Sequence, residues 1–365
     1  NMVVRYKLGF AGLLLVALIL QSCNSPKKTG EGVAVVSDTS AIHFANEKHL
    51  VNVKQLTFGG ENAEAYWSFD NTRLTYQGKN NKTGLMCDQI FMMNVADTSK
   101  VRISTGRGRT TCSYFLPGDS LIIYASTHLS GDSCPPEPKR ERGKYLWPIY
   151  AEYEIFIADL KGNIVKQLTN NKFYDAEATV SPKKDKIVFT SDRSGDLELY
   201  TMNIDGSDVK QITNSPGYDG GACFSPDGQQ IVWRASHFET DSELIEYKEN
   251  LKKHLVSPLH MELFIANADG SNRRQITHLG GANWAPCFDP TGKKIIFSSN
   301  HVTKSIPFNL YSINTDGTGL EQITGDKVFD AFPMFSYDGK KLAFCSNRAN
   351  GGTRETNIFV ADWLP

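Results

Sequence analysis

The sequence predicts an all-β chain folded as a six-bladed β-propeller of four-stranded antiparallel blades, closed by an N-terminal strand that completes the last blade. Three observations predict it. A four-residue pattern recurs six times, tight-turn signals separate short aromatic-bearing strands between the copies, and the last unit ends one strand short while a strand of the missing type stands near the other end.

The recurring pattern is a basic or polar residue, then Gln or Arg, a β-branched residue or Leu, and Thr or Ser. Its copies are Lys54-Gln55-Leu56-Thr57, Val101-Arg102-Ile103-Ser104, Lys166-Gln167-Leu168-Thr169, Lys210-Gln211-Ile212-Thr213, Arg274-Gln275-Ile276-Thr277 and Glu321-Gln322-Ile323-Thr324. Between copies run an aromatic-bearing strand, a turn, an apolar strand, a loop, a third strand and a second turn. Ala222-Cys223-Phe224-Ser225, Pro226-Asp227-Gly228, Ile231-Val232-Trp233, Leu263-Phe264-Ile265-Ala266-Asn267 and Asp269-Gly270-Ser271 are the clearest instances. Asp-Gly supplies the positive φ that short hairpins require, so these turns reverse the chain. Four short strands in a unit of about 45 residues describe a propeller blade. The last unit stops after its third strand, Ile358-Phe359-Val360-Ala361-Asp362, and residues 53–57 precede any first strand. Pairing these two segments removes an exposed sheet edge and closes the ring.

Phe224-Ser225-Pro226-Asp227-Gly228, Asn203-Ile204-Asp205-Gly206-Ser207 and Lys210-Gln211-Ile212-Thr213 resemble the WD-type (PD40) repeat of the TolB-like propeller family, over roughly residues 51–363. The resemblance implies the fold. For function it implies a range, since such propellers serve as binding proteins, as non-catalytic parts of peptidases and in a few lyases.

The segment before the propeller reads as targeting sequence. Arg5 and Lys7 precede an apolar run from Leu8 to Leu20, short for a membrane span, and Leu20-Gln21-Ser22-Cys23 resembles a bacterial lipobox. The expected organisation is a signal peptide over 1–22, a lipidated Cys23 with a tether over 23–50, and the propeller over 51–365. It puts the protein in the bacterial cell envelope, periplasmic or outer-membrane, held by its lipid anchor only.

Successive motifs lie 47, 65, 44, 64 and 47 residues apart, so blades two and four carry insertions, at about 129–150 and 238–260. Both follow second strands and therefore decorate one mouth of the ring. Thr240 and Glu243 form a capping box, and Leu244, Tyr247, Leu251 and Leu255 a stripe, which predicts a helix from Thr240 to about Leu255. Cys134-Pro135-Pro136-Glu137-Pro138 predicts an extended arm, and Lys139-Arg140-Glu141-Arg142 a solvated surface.

Two columns of residues map to the same mouth. Before the first strands stand Asn62, Thr110, Asp175, Asp219, Asn283 and Asp330, whose Asp and Asn residues most often hold their own turn or clamp the next blade. Glu64 and Glu177, two positions later, are harder to explain by turn chemistry. Past the second strands stand Asn80, His128, Arg193, His237, His301 and Arg348. His128, His237 and His301 are candidate ligands for a divalent metal, or cap local loops. The candidate binding face is thus Glu64, His128, Asp175, Glu177, Asp219, His237, Asn283, Trp284, His301, Asp330 and Arg348, with Tyr145, Trp147 and Phe329 as further aromatic contacts. Cys87, Cys112 and Cys134 share this face, and Cys87 with Cys134 is the first choice for an envelope disulfide. Cys223, Cys287 and Cys345 read as small buried hydrophobes.

With 39 Lys and Arg against 40 Asp and Glu, the chain lacks the basic field of a nucleic-acid binder. It contains no Gly-x-Ser-x-Gly elbow, His-Glu-x-x-His, phosphate loop or dinucleotide fingerprint. The expectation is a monomeric binding or scaffold propeller for an envelope protein, peptide or glycan. The alternative is a metal-dependent lyase or hydrolase acting on an anionic polysaccharide at the same face.

Overall fold

The structure is a computed structural model that describes residues 42–139, 144–305, 307–325 and 327–365. Cys23, the targeting segment and Arg140, Glu141 and Arg142 lie outside the described residues. Six four-stranded antiparallel sheets follow one another along the chain. Blade one is Glu61–Trp67, Arg73–Asn80, Leu85–Asn94 and Lys100–Arg102; blade two is Thr110–Phe115, Leu121–Ser126, Glu154–Asp159 and Ile164–Gln167. Blade three is Asp175–Val180, Lys186–Ser191, Glu198–Asn203 and Lys210–Gln211; blade four is Gly217–Phe224, Gln230–His237, Glu262–Asn267 and Arg274–Gln275. Blade five is Asn283–Phe288, Lys294–Ser299, Asn309–Asn314 and Glu321–Gln322. Blade six takes Asp330–Phe335, Lys341–Ser346 and Asn357–Trp363 from the C-terminal end and Leu50–Gln55 from the N-terminal side. First strands pack on the neighbouring blades all round, blade six meeting blade one.

The hydrogen bonds explain why the motif repeats. Its Thr or Ser hydroxyl accepts the backbone N–H of the third strand in all six blades, at 2.7–2.9 Å: Ser104 from Ile90, Thr169 from Ile155, Thr213 from Leu199, Thr277 from Leu263, Thr324 from Leu310 and Thr57 from Ile358. Where the motif carries Gln, as at Gln55, Gln167, Gln211, Gln275 and Gln322, its amide donates to the carbonyl of that Thr and holds the corner. The fourth strand, only two residues long in three blades, is thereby pinned by side chains where ladder bonds run out.

The ring closes as the sequence predicts: Leu50 pairs with Trp363, Val51 with Asp362, Lys54 with Val360 and Gln55 with Phe359. The docked region starts earlier than the expected tether allows. Glu47 is buried and takes two hydrogen bonds from the Arg348 guanidinium, at 2.7 and 3.0 Å, while Arg348 also binds both oxygens of Asp330 and the carbonyl of Ile42. Residues 42–49 are therefore part of the closure.

The insertions meet each other. Trp147–Pro148 in the blade-two arm pairs antiparallel with Leu255–Val256 after the blade-four helix. That helix is Asp241–Leu251, with the predicted Thr240/Glu243 capping box, and it ends a turn earlier than expected. His254 takes φ 56° and its carbonyl accepts the Ile149 N–H at 2.7 Å, so the chain leaves the helix to pair with an arm from another blade. Tyr247 anchors the helix, its hydroxyl on Asp196 at 2.5 Å and on the Gly217 carbonyl at 3.1 Å.

Candidate functional site

Every first strand breaks register with its second strand at the same place. Within each break one residue takes positive φ: Glu64 (53°), Cys112 (51°), Glu177 (57°), Gly221 (63°), Ala285 (47°) and Phe332 (55°). A bulge of this kind turns the extra side chain out of the pleat. All six residues line one cavity of about 610 Å³ bounded by the inner strands of the blades and by the blade-two insertion. Left-handed backbone costs an L residue about 1–2 kcal/mol, and the neighbouring blade helps hold it. The Cys112, Gly221 and Phe332 N–H groups donate to Gln77, Thr190 and Ser298 of the preceding blade at 3.0–3.2 Å.

The ring is lopsided. Blades one to three present Glu64, Cys112 and Glu177, whereas blades four to six present Gly221, Ala285 and Phe332. Glu177 is ion-paired with the buried Arg234 and accepts the Thr190 and Tyr218 hydroxyls at 2.8 and 3.2 Å. Arg234 also donates to the Tyr218 hydroxyl at 2.7 Å. Its approach needs both glycines of Gly220-Gly221, because a Cβ at 221 would sit 1.7 Å from Arg234 Nη1 and one at 220 would sit 2.4 Å from the Tyr218 hydroxyl.

The blade-two arm covers this arrangement. The rings of Trp147 and Tyr218 lie 5.5 and 5.4 Å from the Arg234 guanidinium carbon, so two aromatic rings contact the cation. Trp147 also packs on Trp284 at 5.1 Å, and its indole N–H donates to the Tyr145 hydroxyl at 3.2 Å. Arg109 stands over Tyr150 at 5.8 Å, within 3.8 Å of Asp88 and 3.5 Å of Glu137. A disulfide joins Cys87 in blade one to Cys134 at the start of the arm.

Glu64 keeps part of its surface open to the cavity, yet it lies deep among protein atoms. Burial pushes its carboxyl up to about 7; a hydrogen bond with Cys112 opposes this and the Glu177 charge adds to it. Burial, with the charges of Glu64 and Glu177, likewise drives the Cys112 thiol well above its ordinary range. Cys223 and Cys287, expected to be inert filling, also line the cavity with their sulfurs 3.5 Å apart.

Of the face residues named from sequence, Glu64, Glu177 and Trp284 line the cavity, as do Tyr145, Trp147 and Phe329. Trp284 serves the core as well, bonding the Pro258 carbonyl at 2.9 Å and stacking on Phe308 at 4.2 Å. The others are corrected by the structure. Asp175, Asp219, Asn283 and Asp330 are fully buried clamps: Asp175 binds Arg193, Asp219 binds the Trp233 indole and His237, Asn283 binds Ser299 and the Met261 carbonyl, and Asp330 binds Arg348. Arg348 is itself buried in the ring closure.

His128 and His301 each bond the Ser that ends their second strand, at 2.9 and 2.8 Å, and His237 bonds Asp219 at 2.9 Å. Their rings pack on Phe156, Tyr311 and Phe264, the equivalent third-strand aromatics of their own blades. Burial lowers the pKa of His128 and His301, which favours neutral, packed imidazoles. Each histidine serves its own blade, and among the described residues no three His, Cys, Asp or Glu side chains are grouped as a metal ion requires. The proposed His128, His237 and His301 metal set therefore does not fit.

Arg234 was missed from sequence, although a signal existed. The residue after the second-strand aromatic is Thr190, Ser298 and Cys345 in blades three, five and six, and Arg in blade four.

Residues 150–257 match the TolB β-propeller domain family. The matched segment lies within the six-bladed propeller, running from blade two into blade four. Its fold is similar to that of a protein assigned as TolB from Agrobacterium tumefaciens, at 19% identity and TM-score 0.55, over 84% of this chain and 91% of that one. It is also similar to a gluconolactonase from Xanthomonas campestris, at 13% identity and TM-score 0.54, over 88% and 94% of the two chains. At these identities the likeness is one of fold. Among curated proteins no sequence match is found.

Proposed function

We propose that this TolB-like propeller is a cell-envelope binding protein that holds a compact ligand, a short glycan, in the cavity beneath its blade-two arm. The observation that carries the reading is the cover: the arm, held by its pairing with the post-helix strand, lines a cavity of about 610 Å³. That size is within the roughly 300–1,000 Å³ of small-ligand sites, and too confined for a broad protein surface. Trp147, Trp284 and the tyrosines offer flat apolar faces for sugar rings, and the neighbouring carboxylates and guanidinium groups suit hydroxyls. The targeting segment and Cys23 support an envelope location with a lipid anchor. No helix among the described residues is long and apolar enough to cross a membrane.

The test is a panel of neutral and charged oligosaccharides and short peptides titrated against the purified protein by calorimetry. A bound glycan should lose at least tenfold in affinity with Trp147→Ala while unfolding stays cooperative. Binding indifferent to Trp147→Ala, or preference for peptides throughout, would count against this site or this ligand class.

A further inference from the structure

The charges lining the cavity do not balance. Glu61, Glu64, Asp88, Glu137 and Glu177 face Lys79, Arg109 and Arg234, five carboxyl groups against three cations. The cations are already engaged: Lys79 with Glu61 at 3.0 Å, Arg109 with Asp88 and Glu137, and Arg234 with Glu177. Among the described residues Glu64 has no cationic partner. Its carboxyl hydrogen-bonds with Cys112 and feels the charges of Glu177, Arg234 and Asp88, and its own field is felt by Tyr66 and Cys345. Only Arg234 in that set is positive, and it is committed to Glu177.

An uncompensated carboxyl in a desolvated, aromatic-walled space is the arrangement that selects a cation, because the ring faces are themselves electronegative. Tyr66 and Trp284 line the cavity, and so does Phe332, the bulge residue of blade six, which neighbours blade one and its Glu64 in the ring. We propose that Glu64 is the counter-ion for a ligand's ammonium group, so that the cavity takes a compact molecule bearing a primary amine. The proposal rests on the cavity being the binding site and names the chemistry that the site recognises. The amine belongs to an amino sugar or to a lysine-type side chain, which share this chemistry.

Two probe pairs test it on the whole protein by calorimetry. One is Nα-acetyl-lysine amide with its Nε-acetylated, uncharged counterpart; the other is the glucosamine disaccharide with its N-acetylated form. The charged member of one pair should bind at least tenfold more tightly at neutral pH, and that pair identifies the source of the amine. Glu64→Gln should abolish the preference. With the lysine probe, which stays charged throughout, affinity should fall about tenfold from pH 8 to pH 6, because Glu64 must give up a proton to pair with the cation. This wild-type titration needs no variant and stands even if Glu64→Gln folds poorly. Equal binding within both pairs, absence of charged-probe binding, or a preference that survives Glu64→Gln would overturn the proposal. If a neutral glycan still binds in a Trp147-dependent manner, only the counter-ion role fails; if no Trp147-dependent binding is found at all, the cavity reading fails with it.

Discussion

A carboxyl held at about 7 in the folded chain, against 4.5 as its ordinary value, ties stability to pH. The folded protein binds more protons at Glu64 than the unfolded chain between these values, so stability falls as pH rises through that window. The loss tends toward about 3 kcal/mol once Glu64 is fully ionised. Glu198, pushed up to about 8 by burial, acts with the same sign, so the Glu64 share is read as a difference. Glu64→Gln should be progressively stabilising relative to wild type from pH 5 to pH 8, measured by urea denaturation in matched buffers. A difference that does not change with pH would show that Glu64 is not held protonated. The same desolvation makes Glu64 a responsive group toward a ligand, which links the stability measurement to binding.

At the scale of the element, the blade-two arm connects fold to function. It is too proline-rich for a helix, and it is fixed at three points: the Cys87–Cys134 disulfide, the two-residue pairing with Leu255–Val256 and the packing of Trp147 on Trp284 and Arg234. A two-residue ladder carries little stability alone, so the disulfide and the aromatic contacts must hold the roof. The disulfide spans 47 residues, a loop length for which cross-linking contributes about 2–4 kcal/mol. Replacing both cysteines by serine should lower stability by about that amount and speed proteolysis between residues 135 and 146. Unchanged proteolysis would mean that the pairing and packing fix the arm unaided.

At the scale of the whole molecule, the ring depends on one junction between distant parts of the chain. Arg348 sits between Glu47 and Asp330, all three side chains out of solvent, and joins the residues before the closing strand to the first and second strands of blade six. Removing the cation strands two buried carboxylates, a change that typically costs about 3–5 kcal/mol. Arg348→Leu should therefore lower the urea midpoint by a matching amount and accelerate hydrogen exchange in Leu50–Gln55 ahead of the other blades. Uniform acceleration over all six blades would show that the junction is not where the ring opens first.

The repeat was legible in the sequence because it is local: hairpin turns, strand alternation and the Gln-x-Thr corner each act within a few residues, and six copies reinforce one another. The missing fourth strand was legible for the same reason, since a broken period shows where its complement must lie. Glu64 and Glu177 stood out because turn chemistry does not call for Glu at those positions. Tertiary structure alone decided which polar residues face the cavity. Asp175, Asp219 and Asp330 in one column and Arg348 in the other map to the same mouth, yet the energy of burying a charge drives each onto a partner elsewhere in its blade or at the closure. Arg234, a lone charge in a strand, needed Glu177 from the preceding blade and two glycines before its role could be seen. The joining of two insertions separated by more than a hundred residues was likewise beyond pattern, because two short strands with no turn between them carry no mutual signal in sequence. Their pairing follows from the closed ring, which brings both to one mouth and leaves an apolar roof as the way to bury them together.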